Sequence, residues 1–176
     1  SYYRIKAWEK YDWMGDVLGF ADWKEVKHVI VLPTYKEPVE ILERTLRALE
    51  KQTVGPKQII PIIAMEERAG EKINVEREKR LKKEFGGKFA SLFFSFHPVN
   101  LSGEVIGKSS NASWAGKEFK KLLSKHKEWK MEKMTISSVD CDVALHPNHL
   151  AAITYMFLDD PNRYRKIWQG AIVFYN

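Results

Sequence analysis

A short apolar run that ends in two carboxylates reads Met134-Thr135-Ile136-Ser137-Ser138-Val139-Asp140-Cys141-Asp142. The run predicts a strand, and Asp140 and Asp142 come directly after its carboxyl end. Paired carboxylates supply the hard oxygen ligands that Mg²⁺ or Mn²⁺ takes while it carries a phosphorylated ligand. The pattern therefore predicts a metal-assisted nucleotide site, and the alternative is a helix-capping turn before Pro147.

Strand-like and helical patterns alternate on the amino-terminal side of this run, and one more of each follows it. This order predicts an α/β fold with a mostly parallel sheet flanked by helices. The expected strands cover 28–32, 58–65, 89–97, 134–139 and 166–175. The expected helices are one with a single buried stripe from Val39 to Leu49, an exposed one over 70–85, one around Trp114 to Leu123, and one that Pro147 opens and that ends near Leu158.

The polar candidate residues follow the predicted strands, at the points where those strands end. In open α/β sheets, ligands bind beyond the carboxyl ends of the strands. We therefore expect one shared site at that edge. Its members are Thr34, Tyr35 and Glu37 after the first strand, Glu66 and Glu67 after the second, Lys108 in the loop after the third, and Asp140 and Asp142 after the fourth.

The composition is that of one globular domain. The chain has 176 residues, with 44% hydrophobic and 30% charged residues, and the sequence contains no run of about 18 apolar residues. We therefore expect a soluble chain. Its single cysteine, Cys141, excludes an internal disulfide and favours a reducing, cytosolic setting.

The net charge of +6 is spread over stretches in which Lys and Glu alternate, which is typical of solvated helix faces. The segment 117–133 is the exception, with seven Lys and three Glu. A second hypothesis is therefore a binding module without chemistry, in which a basic surface docks acidic lipid or RNA.

Four stretches, in this order along the chain, resemble motifs of glycosyltransferase family 2. The likeness is to its membrane-associated, cellulose-synthase-like branch. The first stretch resembles the opening strand and nucleotide-binding turn, the second a lysine loop, the third the metal motif, and the fourth a later part of the same domain. They are Val31-Leu32-Pro33-Thr34-Tyr35-Lys36-Glu37, Gly107-Lys108-Ser109-Ser110-Asn111, Val139-Asp140-Cys141-Asp142, and Trp168-Gln169 with Phe174-Tyr175-Asn176.

The resemblance implies a GT-A, Rossmann-like domain over 27–176, preceded by an aromatic-rich extension over 1–26. It implies a metal-dependent, inverting transferase that takes a sugar from a nucleotide diphosphate. UDP is the favoured nucleotide and GDP-mannose stays open. The acceptor would be a glycan or lipid, as in polysaccharide biosynthesis, with no nucleic acid partner. The parent would be a longer protein embedded in a membrane, with this domain on the cytosolic face.

The resemblance also assigns roles to individual residues. Pro33, Thr34, Tyr35 and Glu37 would hold the nucleoside, Glu66 or Glu67 would take the base edge, and Lys108 would meet the phosphates. Asp142 would bind the metal, and Asp140 would share it or bind the ribose. Asn111 would orient the lysine loop, or act as the N-cap of the helix at Trp114. The alternatives to ligand binding are that Lys108 is an ordinary solvated lysine and that Glu37 is a turn residue before Pro38.

The chain departs from the family pattern in two places. The turn after the second strand reads Met65-Glu66-Glu67-Arg68 instead of an Asp-rich turn. The acidic motif that supplies the catalytic base and the Gln-x-x-Arg-Trp acceptor motif would both lie beyond Asn176. The catalytic residue is therefore not identified, and we expect nucleotide binding by this chain with little or no transfer.

Two alternative chemistries use the same carboxylates. His146 and His149 could join Asp140, Asp142 and Cys141 in a zinc site, since zinc accepts nitrogen, sulfur and oxygen ligands. A nucleotidyltransferase or phosphatase of similar topology could instead use the metal cluster.

The aromatic residues of 1–26 have two interpretations as well, as a membrane-adjacent segment or as rings packed back over the sheet.

Overall fold

The sheet consists of four strands, β1 (Lys27–Pro33), β2 (Ile59–Glu66), β3 (Phe93–His97) and β4 (Met134–Ser138). The structure is a computed structural model, and it describes residues 2–170. All neighbouring strands are parallel, in the order β3-β2-β1-β4. The predicted α/β class is confirmed, and the arrangement is Rossmann-like.

Six α-helices accompany these strands in the described part of the chain. They are α1 (Tyr2–Lys10), α2 (Trp13–Val17), α3 (Val39–Glu50), α4 (Glu71–Phe85), α5 (Lys108–Leu123) and α6 (His149–Asp159). One face of the sheet packs against α3, α4 and α6, and the other face packs against α5. The sheet is therefore covered on both sides, as parallel sheets usually are.

Burial on both faces explains the composition of β2, in which all eight residues are buried. Successive side chains of a strand point to opposite faces. Accordingly, Ile60 and Ile62 belong to the apolar cluster with Phe119 of α5, whereas Ile59 and Ile63 belong to the cluster with Leu42, Leu46, Leu81, Phe85 and Leu150. An alternating strand with one solvated face would not suit this position.

The chain order of the strands places a topological switch point between β1 and β4. The chain adds β2 and β3 on one side of β1 and then returns to add β4 on the other side. At such a point the loops after the two central strands diverge, and a crevice forms at their carboxyl ends. The segments at this crevice are 34–38 and 139–142.

Three predicted element boundaries are wrong. β3 begins at Phe93, because residues 86–92 form turns and irregular backbone and the buried Phe89 packs into the core from outside a strand. α5 begins at Lys108, not near Trp114, and so Lys108 is helical and does not lie in a loop. α6 begins at His149, two residues after Pro147, with Asn148 before its first turn.

Two further expectations differ from the structure. The helix α4 is not exposed throughout, since it buries Asn74 and Arg77 together with Leu81 and Phe85. The fifth strand is absent over 166–170, which follow a short 3-10 turn at Arg163–Arg165, and the rest of that expected strand lies outside the described residues.

The amino-terminal aromatic residues divide into a packed set and an exposed set. The ring centroids of Trp13 and Phe20 lie 5.9 and 6.0 Å from that of Tyr155 on α6, so these rings cover α6 instead of the sheet itself. Tyr2 and Tyr3 are 61% and 85% exposed. Between residues 2 and 170, no helix is both long and apolar enough to cross a membrane.

Candidate ligand-binding site

The turn after β1 is closed by its own carboxylate. Thr34 continues the ladder of β1 by donating its N–H to the carbonyl of Ala64 at 2.8 Å. Oε2 of Glu37 then accepts from the Thr34 hydroxyl at 2.8 Å and from the Tyr35 N–H at 2.6 Å. Burial raises the pKa of Glu37, but these hydrogen bonds and the charge of Arg77 outweigh it, and the pKa lies below its usual value.

Arg77 of α4 forms hydrogen bonds to the backbone of the same turn. Arg77 is 5% exposed, and its guanidinium donates to the carbonyl oxygens of Tyr35 and Glu37 at 3.1 and 2.7 Å. A buried guanidinium with two carbonyl acceptors fixes the backbone of the turn. The turn is therefore a rigid element of the fold, and it presents the ring of Tyr35 at the edge of the sheet.

The two glutamates in the turn after β2 have different partners. Glu66 is 5% exposed and forms an ion pair with Arg68. Glu67 faces away, and its Oε2 accepts from the N–H of Val99 at 3.3 Å, in the loop after β3. Asn74 donates to the carbonyl of Glu66 at 2.9 Å and so ties this turn to α4. Glu66, not Glu67, is the residue at the site.

The first turn of α5 brings Lys108 to the same edge. Ser110 closes the turn, since its hydroxyl donates to the Gly107 carbonyl at 2.7 Å and accepts from the Gly107 N–H at 3.1 Å. Asn111 lies inside the helix at 1% exposure and donates to the carbonyl of Ala64 at 2.7 Å. It is therefore neither an N-cap nor a pocket residue, but it anchors the start of α5 to β2.

The turn after β4 presents its two carboxylates to solvent. Cys141 between them is buried, and its carbonyl accepts from the Thr45 hydroxyl of α3 at 2.6 Å. Arg44 donates to the carbonyl of Asp142 at 2.9 Å. Asp140 forms an ion pair with Lys108, and both of these side chains are more than half exposed. The turn is fixed by its backbone, which leaves both carboxylates outside the core.

A pocket of about 180 Å³ lies where these turns meet. Six of the predicted residues line it, and they come from three separate strand exits. Asp140 adjoins the pocket through its ion pair with Lys108. The lining residues are Pro33, Thr34, Tyr35, Glu37, Glu66, Arg68 and Lys108.

Four predicted residues do not line this pocket. Glu67 and Asn111 are engaged elsewhere, as described above. Asp142 lies on the exposed turn after β4, and Asp140 of the same turn only adjoins the pocket through its ion pair with Lys108.

Asp140 and Asp142 carry oxygen atoms of the kind that divalent cations accept as ligands. Over residues 2–170, no group of three or more His, Cys, Asp or Glu side chains is arranged to hold a metal ion. A zinc site with four protein ligands is therefore not formed by the described residues. Mg²⁺, in contrast, is commonly bound by one or two carboxylates plus substrate phosphates and water. Asp140 and Asp142 supply two such carboxylates.

Sequence reasoning missed Arg68 and Arg77. Arg77 shares one face of α4 with Asn74, Leu81 and Phe85, all of them buried. Their spacing is helical, so extending the apolar stripe to include polar side chains would have identified this face. Arg68 carries no comparable signal, because it is recognised only when the paths of the turns after β1 and β2 are known.

The sequence was also compared with known proteins. A scan against models of protein families finds no match, and a search of curated proteins finds no relative. The four motifs and the geometry around the pocket are therefore the observations that bear on function.

Proposed function

We propose that this chain is the donor-binding portion of a metal-dependent, inverting glycosyltransferase of family 2. Its ligand would be a nucleotide-diphosphate sugar, with UDP favoured, and the acceptor a glycan or lipid. One observation carries the proposal. Residues of two motifs that lie about 70 positions apart, at Thr34 to Glu37 and at Lys108, line one pocket, and the third motif adjoins it through Asp140.

The nucleoside end of the pocket is formed by the turn after β1. The Thr34 hydroxyl donates to Glu37, so its lone pairs are available to accept a hydrogen bond from a ligand. The ring of Tyr35 lines this end of the pocket, with the Arg68 guanidinium 4.1 Å from its centroid, and Glu66 offers a buried carboxylate to the base edge. Glu37 acts mainly as the residue that shapes the turn.

The phosphate end is formed by the start of α5. Lys108 is the first residue of that helix, and the N-terminus of a helix favours negative charge because its first N–H groups are unpaired and its dipole is positive there. The Lys108 ammonium adds a mobile positive charge at the same place. A diphosphate would exchange places with Asp140 as the partner of Lys108.

Asp142 and Asp140 would hold a divalent cation together with the diphosphate. Such a cation, when bound, neutralises charge that develops on the leaving diphosphate as the sugar departs. In this arrangement the chain keeps one carboxylate on each side of the buried Cys141 and leaves the remaining ligand positions to phosphate oxygens and water.

The family resemblance extends the proposal beyond the described residues. The family's catalytic base and acceptor motif are not among the four stretches that resemble it here. The parent protein would be embedded in a membrane, with this domain on the cytosolic side, where nucleotide sugars are found. The isolated chain would then bind the donor with little or no transfer.

Titration of the chain with UDP and with GDP, followed by backbone amide chemical shifts, tests the proposal. With Mg²⁺ present, UDP should shift the amides of Thr34, Tyr35, Glu66 and Lys108, and GDP should bind more weakly. Substituting Mn²⁺ should broaden signals around Asp142, because the paramagnetic ion relaxes nearby nuclei.

The alternatives give different results in the same preparation. Binding of neither nucleotide, with affinity for anionic vesicles or RNA that falls steeply with salt, would favour the basic binding module over a donor site. Release of pyrophosphate from a nucleoside triphosphate would favour a nucleotidyltransferase.

A further inference from the structure

Arg68 is positively charged and lines the pocket, so its obvious role would be to bind phosphate. Its surroundings point elsewhere. The centre of its guanidinium lies 4.1 Å from the centroid of the Tyr35 ring, a stacking distance. Its Nε donates to Oε2 of Glu66, which is 5% exposed. Its charge is therefore already matched by a buried carboxylate.

The pair formed by Arg68 and Glu66 keeps unused hydrogen-bonding groups at the pocket. Across residues 2–170, Oε1 of Glu66 and the two terminal nitrogens of Arg68 have no hydrogen-bond partner. The guanidinium donors lie in one plane, and the centre of the guanidinium lies 4.1 Å from the centroid of the Tyr35 ring. This side of the pocket therefore offers one acceptor, Oε1 of Glu66, beside the coplanar N–H donors of Arg68, and the Tyr35 ring lies next to them.

Ligand chemistry decides between the two roles. A phosphate offers acceptors only, so it would use the guanidinium and would be repelled by the adjacent Glu66 carboxylate. A nucleobase is flat and carries N–H donors beside carbonyl or ring-nitrogen acceptors on one edge. Uracil, for example, can donate its N3–H to Glu66 while a neighbouring carbonyl accepts from Arg68. Unlike phosphate, the nucleobase pairs with both the Glu66 acceptor and an Arg68 donor.

We propose that Arg68 is a nucleobase-binding residue, which acts with Glu66 and Tyr35 at the base end of the pocket and takes no part in phosphate binding. The inference rests on the proposed nucleotide site and divides that site in two. Arg68 holds the base end, and Lys108 holds the phosphate end, where the helix N-terminus adds to its charge.

The test compares uridine with UDP in Arg68→Lys and Arg68→Ala, by amide chemical-shift titration. Arg68→Lys keeps a positive charge beside the buried Glu66 carboxylate, so that carboxylate is not left unpaired. The variant loses the planar N–H donors and the flat surface of the guanidinium. Both variants should bind uridine and UDP about tenfold more weakly than the parent chain, by the same factor for each ligand. The slope of log affinity for UDP against log salt should stay unchanged.

Arg165, whose exposed side chain has no hydrogen-bond partner among residues 2–170, provides the matched control. Arg165→Lys and Arg165→Ala should bind both ligands as the parent does. A phosphate role for Arg68 would weaken UDP while leaving uridine unchanged, and Arg68→Lys would retain much of the affinity. Either result overturns the inference but leaves the proposed function standing, whereas a parent chain that binds no nucleotide overturns both.

Discussion

Lys108 at the start of α5 forms an ion pair with Asp140 in the turn after β4. The two residues belong to different motifs, 32 positions apart, and they meet at the mouth of the pocket. Both side chains are more than half exposed, and ion pairs in that setting contribute about 1 kcal/mol or less. In the proposed site, a diphosphate would therefore replace Asp140 beside Lys108 at little cost, and Asp140 would then be released for a cation or a ribose.

Replacing Lys108 with alanine should separate phosphate binding from base binding. We expect Lys108→Ala to weaken UDP about tenfold and to leave uridine unchanged, because in the proposed site the lost ammonium would contact the phosphates and not the base. Lys120→Ala removes the same charge from the exposed far end of the same helix, and it should change neither ligand. Equal losses for Lys108→Ala and Lys120→Ala would mean that only the net charge of the chain matters.

Asp142→Asn should remove the effect of metal on nucleotide affinity. In the parent chain we expect Mg²⁺ to strengthen UDP binding, since Asp142 would hold a cation that offsets the negative charge of the diphosphate. The variant should bind UDP equally with and without Mg²⁺ in isothermal titration calorimetry. Asp159→Asn, at the exposed end of α6, is the control and should keep the enhancement. An enhancement that survives in Asp142→Asn would exclude Asp142 as a ligand.

Arg77→Met should destabilise the whole fold and not only the site. Two carbonyls of the turn after β1 would lose their charged donor, which we expect to lower the free energy of unfolding by about 2–4 kcal/mol in urea. Lys79→Met removes an exposed charge from the same helix and should stay within about 0.5 kcal/mol of the parent. A small effect of Arg77→Met would show that the turn holds itself through Glu37.

His28 should make the protein less stable in mild acid. Its ring is buried between the hydroxyls of Thr135 and Thr154, at 2.7 and 2.8 Å, and burial lowers its pKa from 6.5 to about 3. Between these values the unfolded chain binds a proton that the folded chain does not. Stability should therefore fall as pH drops below 6.5, by up to about 1.4 kcal/mol per pH unit for this one group.

The window from pH 6.5 to 5 isolates the histidines, because carboxylates titrate mainly below it. His28→Gln should be less stable at pH 7 but should show a flatter dependence on pH in this window. His149 leaves a residual slope, since burial lowers its pKa as well. An unchanged slope in His28→Gln would mean that His28 is not the group responsible.

The strands and the common edge of the candidate residues could be predicted because they depend on local patterns. Buried runs give the strands, and parallel pairing then puts Thr34, Glu66, Lys108 and Asp140 at one edge. The start of α5 could not be found in this way. Its first turn carries no apolar stripe, and Asn111 is buried by a hydrogen bond to β2 that no local pattern encodes.

The assignment of Glu66 and not Glu67 also depended on tertiary structure. The two residues are adjacent and have the same side chain, so their different surroundings could not be read from the sequence. Val99 offers its N–H to Glu67, which leaves Glu66 with Arg68 at the pocket. The same reasoning explains why Arg68 was missed, since its partners, Tyr35 and Glu66, come from two different strand exits.

The hydrogen bond between Asn111 and the Ala64 carbonyl has a consequence for how a ligand would be received. It fastens the first turn of α5 to the most deeply buried strand, so the backbone that carries Lys108 cannot shift without disturbing the sheet. Capture of an anion there requires only torsional rotation within one lysine side chain, a motion of picoseconds to nanoseconds. We expect association to be limited by diffusion and by release of Asp140, and not by rearrangement of the helix.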